Sequence, residues 1–113
     1  MPVKTALTVV ICAKNEENNI EETLQSVYGW ADEIIVVDDY STDSTAEISK
    51  KFATVLTRKM ENEGIHRNWG YSKARNRWVL SLDADEKVTP ELQIEISKSI
   101  KNPEFVSYDI PLR

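Results

Sequence analysis

The sequence has 113 residues, of which 41% are hydrophobic and 29% charged, as expected for one folded α/β domain over residues 1–113 and not for a disordered chain. The 19 acidic residues outnumber the 14 basic ones, and the net charge of -5 argues against a general nucleic-acid-binding protein, which needs a positive surface. The single cysteine excludes an internal disulfide, so we expect a reducing, cytoplasmic location. The longest apolar run, ALTVVICA, is too short for a transmembrane segment.

Five short runs rich in β-branched residues predict strands, at 7–12, 34–37, 54–57, 78–82 and 105–110. Four helical patterns lie between them. The first begins near Glu17, the second begins at Asp43 or Ser44 with a capping box from Ser44 to Glu47, and the fourth begins at Thr89. The third, at 65–75, has Ile65, Trp69 and Ser72 on one face.

This alternation of strands and helices predicts a three-layer, Rossmann-like α/β fold, with a parallel sheet covered by helices on both faces. In such sheets, ligands bind beyond the carboxyl ends of the strands. Polar segments follow three predicted strands: AKNEEN after the first, DDYSTD after the second and DADE after the fourth. We therefore expect the functional site at this edge of the sheet.

Asp83 and Asp85 end the fourth predicted strand. Because residues i and i+2 of an extended chain point the same way, the sequence predicts that both carboxylates face one point. Two carboxylates about 4 Å apart repel by roughly 4 kcal/mol at an effective dielectric of 20. A raised pKa, a basic partner or a divalent cation could offset this repulsion, and a solvated acidic turn before the next helix is the alternative.

Asp38 and Asp39 end the second predicted strand in the same manner. In the common strand order 3-2-1-4, the two acidic strand ends are two strands apart, roughly 10 Å at about 4.8 Å per strand. A nucleotide fits that span, with its base and ribose over the second strand and its diphosphate at a metal. The alternative is a polar strand exit that caps the following helix.

A basic strip at 58–77 carries six basic residues against two acidic ones, which indicates either a solvated helix face or an anion-contacting surface. None of the three glycines belongs to a G-x-G-x-x-G or P-loop motif, so a bound diphosphate would need a cation and a basic side chain. His66 and Cys12 are the only histidine and cysteine, which argues against a zinc site. We expect His66 to be an ordinary exposed helical residue, and the three tryptophans to be packing residues.

The segments LTVVICAKNEENNIEETLQSV, ADEIIVVDDYSTDST and WVLSLDADE occur in this order. Together they resemble the N-terminal, nucleotide-sugar-binding half of family 2 glycosyltransferases, which have the GT-A fold, and in particular the bacterial enzymes that extend lipopolysaccharide or lipooligosaccharide cores. The resemblance covers about residues 6–95. It implies an inverting glycosyltransferase that transfers a sugar from a nucleoside diphosphate, most simply UDP, to a saccharide or lipooligosaccharide acceptor.

The resemblance also implies roles for residues. Nucleotide-binding roles fall on Ala13, Glu16, Asp38, Asp39, Arg67 and Asp83. Within this set, Ala13 and Glu16 would lie nearest the nucleoside, and Asp38 or Asp39 would bind uracil or ribose. Asp83 and Asp85 correspond to the DxD motif, which would hold Mg²⁺ or Mn²⁺ on the sugar diphosphate. Tyr40 departs from the small or glycine residue that is common after the aspartates.

The implied reaction is displacement at the anomeric carbon, with metal-assisted departure of the nucleoside diphosphate and a carboxylate base for the acceptor hydroxyl. The resemblance places that base and the acceptor site beyond residue 113, so we expect a donor-binding part of a longer enzyme. A lipid-linked acceptor would put the full-length protein at the inner membrane face as a peripheral protein. The alternatives are a receiver-type phosphoacceptor domain, in which the acidic pair would end the first strand, a nucleotidyltransferase-like domain and a structural α/β module.

Overall fold

The computed structural model describes residues 4–101, so the predicted strand at 105–110 lies outside the described residues. Strands and helices alternate from the first element to the last. They are β1 Thr5–Ala13, α1 Ile20–Gln25, β2 Ala31–Asp38, α2 Thr45–Ser49, β3 Thr54–Thr57, α3 Glu63–Tyr71, β4 Trp78–Asp83 and α4 Pro90–Ile100. Among these elements, no helix combines the length and the apolar character that crossing a membrane requires.

The four strands form one parallel sheet in the order β3-β2-β1-β4. Ala13 pairs with Asp38 on one side of β1, and Cys12 pairs with Asp83 on the other. The predicted parallel α/β fold and strand order are thereby confirmed. The two acidic strand ends flank the end of β1, as the order 3-2-1-4 requires.

Alternate residues of the central strands face opposite layers of helices. Val9 and Ile11 belong to a core that Leu24 of α1 and Ile96 of α4 also enter. Val10 points to the other face, where it packs in a smaller cluster that includes Trp69 of α3. The continuous apolar run of β1 therefore reflects helices on both faces, as predicted.

Helix α3 lies very close to the sheet at Gly70. A Cβ atom at Gly70 would be 2.8 Å from Val10 Cγ1 and 3.1 Å from Val37 Cγ2, so any larger residue would collide with two strands. The predicted face of this helix is wrong in part: Trp69 packs against the sheet, but Ile65 is 56% exposed, and the buried residues are His66 and Gly70. The hydrophobicity of Ile65 predicted a buried position. The buried face instead contains Gly70, because the close contact of α3 with Val10 leaves no space for a side chain there.

Two helix starts test the predicted caps. Thr89 Oγ1 accepts a hydrogen bond from Leu92 N, and Pro90 occupies the first helical position, which confirms the start of α4. The predicted capping box of α2 is wrong, because the Ser44 side chain makes no capping hydrogen bond. Asp43 Oδ1 takes that place by accepting from Thr45 N at 2.9 Å.

Candidate functional site

A cleft of about 290 Å³ opens at the carboxyl end of β1, between the ends of β2 and β4. The strand ends contribute Cys12, Ala13, Lys14, Asp39 and Asp83 to its lining. The segment from Met60 to α3 contributes Met60, Glu63, His66 and Arg67. Four of the six predicted nucleotide-binding residues line this cleft, namely Ala13, Asp39, Arg67 and Asp83.

Asp38 is directed away from the cleft into its own loop. Its carboxylate accepts hydrogen bonds from the backbone N and the hydroxyl of Ser41, and its residue is 3% exposed. Asp39, by contrast, lines the cleft, with Oδ1 accepting from Met60 N at 3.0 Å and Oδ2 lying 3.9 Å from Lys14 Nζ. The neighbouring aspartates thus have different environments: Asp38 shapes the loop and Asp39 faces the cleft.

Glu16 belongs to the loop after β1 and does not line the cleft. Its backbone N donates to Thr45 Oγ1 at 2.8 Å, and its Oε1 accepts from Asn19 Nδ2. The neighbouring Asn15 adopts a φ of 53° and accepts a hydrogen bond from Thr42 N through its side chain. The bonds to Thr45 and from Thr42 join the loops after β1 and β2. Helix α1 begins at Ile20, three residues later than predicted.

Tyr40 follows Asp39 with a φ of 50° and is 62% exposed. This left-handed conformation is strained for a residue with a Cβ and is natural for glycine. The backbone at this position would therefore suit a glycine better than a tyrosine. Since the tyrosine ring does not line the cleft, its bulk leaves the cleft open.

The DADE segment forms a turn. β4 ends at Asp83, and Glu86 N donates to Asp83 O at 3.0 Å while Glu86 Oε1 accepts from Asp83 N at 2.8 Å. The strand therefore ends at Asp83 and does not continue to Asp85, so the i, i+2 geometry on which the prediction was based stops there, and the shared direction of the two carboxylates stays a prediction. Asp83 lines the cleft, whereas Asp85 is exposed on the turn beside it.

The acidic turn offers few protein ligands for a metal. Within residues 4–101, no cluster of three or more histidine, cysteine, aspartate or glutamate side chains has a metal-binding arrangement. Two exposed carboxylates nevertheless suit Mg²⁺ or Mn²⁺ bound together with a substrate, because such ions are commonly held by one or two carboxylates, phosphate oxygens and water. The donor set therefore fits a cation that arrives with a diphosphate.

Arg67 is the residue of the basic strip that reaches the cleft. Its Nη2 lies 2.8 Å from Glu63 Oε1 and 3.2 Å from Asp83 Oδ1, and these carboxylates are 70% and 60% exposed. Such exposed ion pairs contribute about 0–1 kcal/mol each. The guanidinium can therefore leave a carboxylate and bind a phosphate group with little loss of free energy.

Other members of the strip have structural partners. Arg58 and Lys73 lie 4.9 and 5.0 Å from the ring centre of Trp69, and Arg75 Nε is 3.2 Å from Asp32 Oδ2. The strip therefore divides into one cleft residue and several residues that hold the surface of α3 and the following loop.

Cys12 and His66 form part of the cleft lining without having been predicted as site residues. Burial raises the pKa of the Cys12 thiol, and the nearby Arg67 opposes that rise. His66 is only 2% exposed, so the expectation of an exposed helical histidine is wrong. The spacing of His66 and Gly70, one helical turn apart, is the sequence signal that could have placed His66 on the buried face.

Comparison with known proteins accounts for this cleft. The sequence profile of Glycosyl transferase family 2 matches residues 8–111. The chain belongs to glycosyl transferase family 2. A glycosyltransferase of Rickettsia typhi whose activity is uncharacterised is 36% identical over an alignment of 110 positions, which covers 94% of this chain and 38% of that protein. This family 2 chain therefore spans well under half the length of that relative.

Solved structures of glycosyltransferases share the fold of this family 2 chain. TarS from S. aureus in complex with UDP matches 88% of the chain, and 32% of TarS, with a TM-score of 0.68 and 28% identity. Glucosyl-3-phosphoglycerate synthase from Mycobacterium tuberculosis, in complex with Mn²⁺, UDP and glucosyl-3-phosphoglycerate, matches 71% of the chain and 33% of that enzyme, with a TM-score of 0.56 and 26% identity. Family membership favours a glycosyltransferase over the receiver, nucleotidyltransferase and structural alternatives, as does an acidic pair that ends β2 and not β1.

Proposed function

We propose that this chain is the donor-binding part of an inverting glycosyltransferase that uses a UDP-sugar and a divalent cation. The observation that carries the proposal is the single cleft that Asp39 and Asp83 line from two strand ends on either side of β1. A nucleoside diphosphate can span from one end to the other. The UDP complexes of the TarS and glucosyl-3-phosphoglycerate synthase neighbours support the choice of donor.

The nucleoside would occupy the part of the cleft between Asp39 and Ala13. Asp39 Oδ2 would accept a hydrogen bond from the base or ribose, and the buried backbone at Ala13 would pack against the nucleoside. Asp38 and Glu16 would act indirectly, because their hydrogen bonds fix the two loops that carry Asp39 and Ala13. This refines the initial choice between Asp38 and Asp39 in favour of Asp39.

The diphosphate would lie at the other end, where Arg67 and Asp83 meet. Arg67 would turn from Asp83 to a phosphate oxygen, for which its planar, permanently charged guanidinium is well suited. Asp83 and Asp85 would then hold Mg²⁺ or Mn²⁺. When bound, that cation supplies Lewis-acid stabilisation of the negative charge on the departing diphosphate.

Transfer also requires a base for the acceptor hydroxyl and a site for the acceptor. By resemblance to family 2 enzymes, we predict that both come from residues outside the donor-binding part. A saccharide or lipooligosaccharide acceptor, a role in lipopolysaccharide biosynthesis, and a cytoplasmic enzyme attached peripherally to the inner membrane face stay predictions as well.

Calorimetric titration of the 113-residue chain with UDP, in the presence and absence of Mn²⁺, tests the donor site. We expect saturable binding that weakens at least tenfold without the cation, since two carboxylates alone repel the diphosphate. Asp83→Asn and Asp85→Asn should remove this cation dependence. Glu95→Gln, which removes an exposed carboxylate from α4, is the matched control and should bind like the unaltered chain.

Failure of the unaltered chain to bind UDP with either Mg²⁺ or Mn²⁺ would sink the proposal. A receiver-type domain would behave differently, because beryllofluoride would then perturb Asp83 while UDP would not. If Glu95→Gln lost as much of the cation dependence of UDP binding as Asp83→Asn, the cation would not be bound specifically by the DADE turn.

A further inference from the structure

His66 is a buried polar residue for which residues 4–101 provide no hydrogen-bond partner. Its ring lines the cleft, the residue is 2% exposed, and neither Nδ1 nor Nε2 bonds to another group in the described part of the chain. Leaving such a buried donor and acceptor unpaired is unfavourable, so a partner from outside the chain, such as water, an ion or a ligand, is expected at these nitrogens.

The packing of α3 explains why His66 lies over the strand ends. Gly70 is in contact with Val10 and Val37, and His66 precedes it by one turn on the same helix face. Four residues along a helix cover about 6 Å, and two residues along a strand cover nearly the same distance, about 6.7 Å. Since Gly70 lies over Val10, His66 is expected to lie over Cys12, two residues further along β1.

Asp39 directly follows the last residue of β2, its backbone N donates to Ala13 O at 2.9 Å, and it lines the same cleft as His66. Asp39 is acceptor-only when ionised, and its Oδ1 is already bonded to Met60 N. Its Oδ2 is the oxygen left for a ligand and has Lys14 Nζ at 3.9 Å. The cleft lining thus contains this acceptor together with two possible donors, the lysine ammonium and the imidazole N–H of His66.

The two donors, Lys14 and His66, and the acceptor Asp39 are complementary to a ligand that offers two acceptors and one donor between them. Uracil presents that pattern at O2, N3–H and O4. Cytosine lacks the N3 hydrogen, so its ring nitrogen would face the Asp39 carboxylate. Guanine offers two adjacent N–H donors, which pair best with a carboxylate that has both oxygens free, whereas Asp39 Oδ1 already accepts from Met60 N.

We propose that His66 is a specificity residue that donates a hydrogen bond to a uracil carbonyl while Asp39 accepts from N3–H. This inference rests on the proposed function, since it concerns the base of the same UDP-sugar. His66 selects the base and has no part in binding the diphosphate.

Binding of UDP, CDP and pyrophosphate, each with Mg²⁺, to the chain and to two His66 variants tests the assignment. The unaltered chain should prefer UDP over CDP by about tenfold or more, as expected when one hydrogen bond is lost and one polar group is left unpaired. His66→Phe should lose roughly five- to tenfold in UDP affinity and most of the UDP preference, with pyrophosphate binding unchanged. His66→Gln retains a donor and an acceptor and should stay within about threefold of the unaltered chain.

The imidazole itself gives a second measurement that a purely structural residue would not affect. His66 is the only histidine, so its ring nitrogen resonances are unambiguous in ¹⁵N spectra. UDP with Mg²⁺ should shift the resonance of the protonated ring nitrogen, whereas pyrophosphate with Mg²⁺ should leave it unchanged.

The outcomes separate this inference from the proposed function. If the unaltered chain binds no nucleoside diphosphate, both fail. If the unaltered chain binds UDP, three results would contradict the role of His66 and leave the donor site standing. In the first, His66→Phe binds UDP as tightly as the unaltered chain does. In the second, His66→Phe loses affinity for UDP and for pyrophosphate in the same proportion, and in the third, UDP leaves the ring nitrogen resonances unchanged.

Discussion

Gly70 and Val10 are packed so closely that a Cβ atom on the glycine would lie 2.8 Å from Val10 Cγ1. This contact determines how closely α3 packs on β1. It thereby also sets the position of the two cleft residues of the preceding turn, His66 and Arg67.

Gly70→Ala should destabilise the fold by about 1–3 kcal/mol, because the added methyl group meets β-branched residues on two strands. Helix propensity alone would favour alanine by about 1 kcal/mol, so the sign of the change distinguishes packing from propensity. Urea denaturation measures the free energy of unfolding. Asn68→Ala, on the exposed side of α3, is the control and should change it by about 0.5 kcal/mol or less. A more stable Gly70→Ala variant would contradict the close packing.

Cys12 should report on occupancy of the cleft. Because burial raises the pKa of its thiol, alkylation by iodoacetamide should be slow at pH 8 and should accelerate as the pH rises above 9, the ordinary value. UDP with Mg²⁺ should slow alkylation at every pH, since Cys12 lines the cleft. Mass spectrometry follows the single modification, and an alkylation rate independent of UDP would place the nucleotide elsewhere.

Arg67→Gln should weaken UDP binding by roughly tenfold or more, which corresponds to the loss of a charged hydrogen bond to phosphate. Its effect on the free energy of unfolding should be about 1 kcal/mol or less, because its ion pairs are exposed. Arg67 also lowers the pKa of Cys12, so the variant should be alkylated more slowly at pH 8.5. Arg77→Gln removes an exposed charge from the same strip and should alter neither property. Equal weakening in both variants would indicate only a general electrostatic effect.

Asp32 should make the fold sensitive to acid. Hydrogen bonds from Asn76 and from Arg75 hold the pKa of its carboxyl below the usual 3.8 in the folded state. The ionised form is thus favoured by folding. Its contribution to stability is fully present above about pH 4 and is lost as the pH falls through the lowered pKa.

Unfolding free energies of the unaltered chain and of Asp32→Asn, measured from pH 7 to pH 2, check this sign. The unaltered chain should be the more stable at pH 7, and the difference should narrow below about pH 4. Glu95→Gln, whose carboxylate accepts no hydrogen bond in the described structure, is the control. A difference that widens toward low pH would contradict the assignment.

Much of the fold follows from local patterns. The β-branched runs predicted β1 to β4, and the continuous apolar character of β1 predicted helices on both faces. The Thr89 cap was predictable because it depends on residues within one turn. The Ser44 capping box failed because Asp43, one residue earlier, bonds to Thr45 N in its place.

The directions of the side chains in the DADE turn could not be predicted from the local sequence pattern. The spacing of Asp83 and Asp85 predicted a shared direction only if the strand continued through both residues. Glu86 closes a turn on Asp83, and the strand ends there. Both carboxylates remain at one strand end, but their relative direction depends on the turn.

The sequence by itself determined the order of the elements, the parallel sheet and the edge where polar strand ends collect, because these depend on periodicity and on connections between neighbouring elements. Only the tertiary structure decided that Asp39 faces the cleft while Asp38 bonds to Ser41, and that His66 is buried with no hydrogen-bond partner among the residues that the structure describes. Those choices depend on how closely α3 approaches β1 and β2 at Gly70 and on which loop reaches each carboxylate. Both are contacts between residues far apart in the chain.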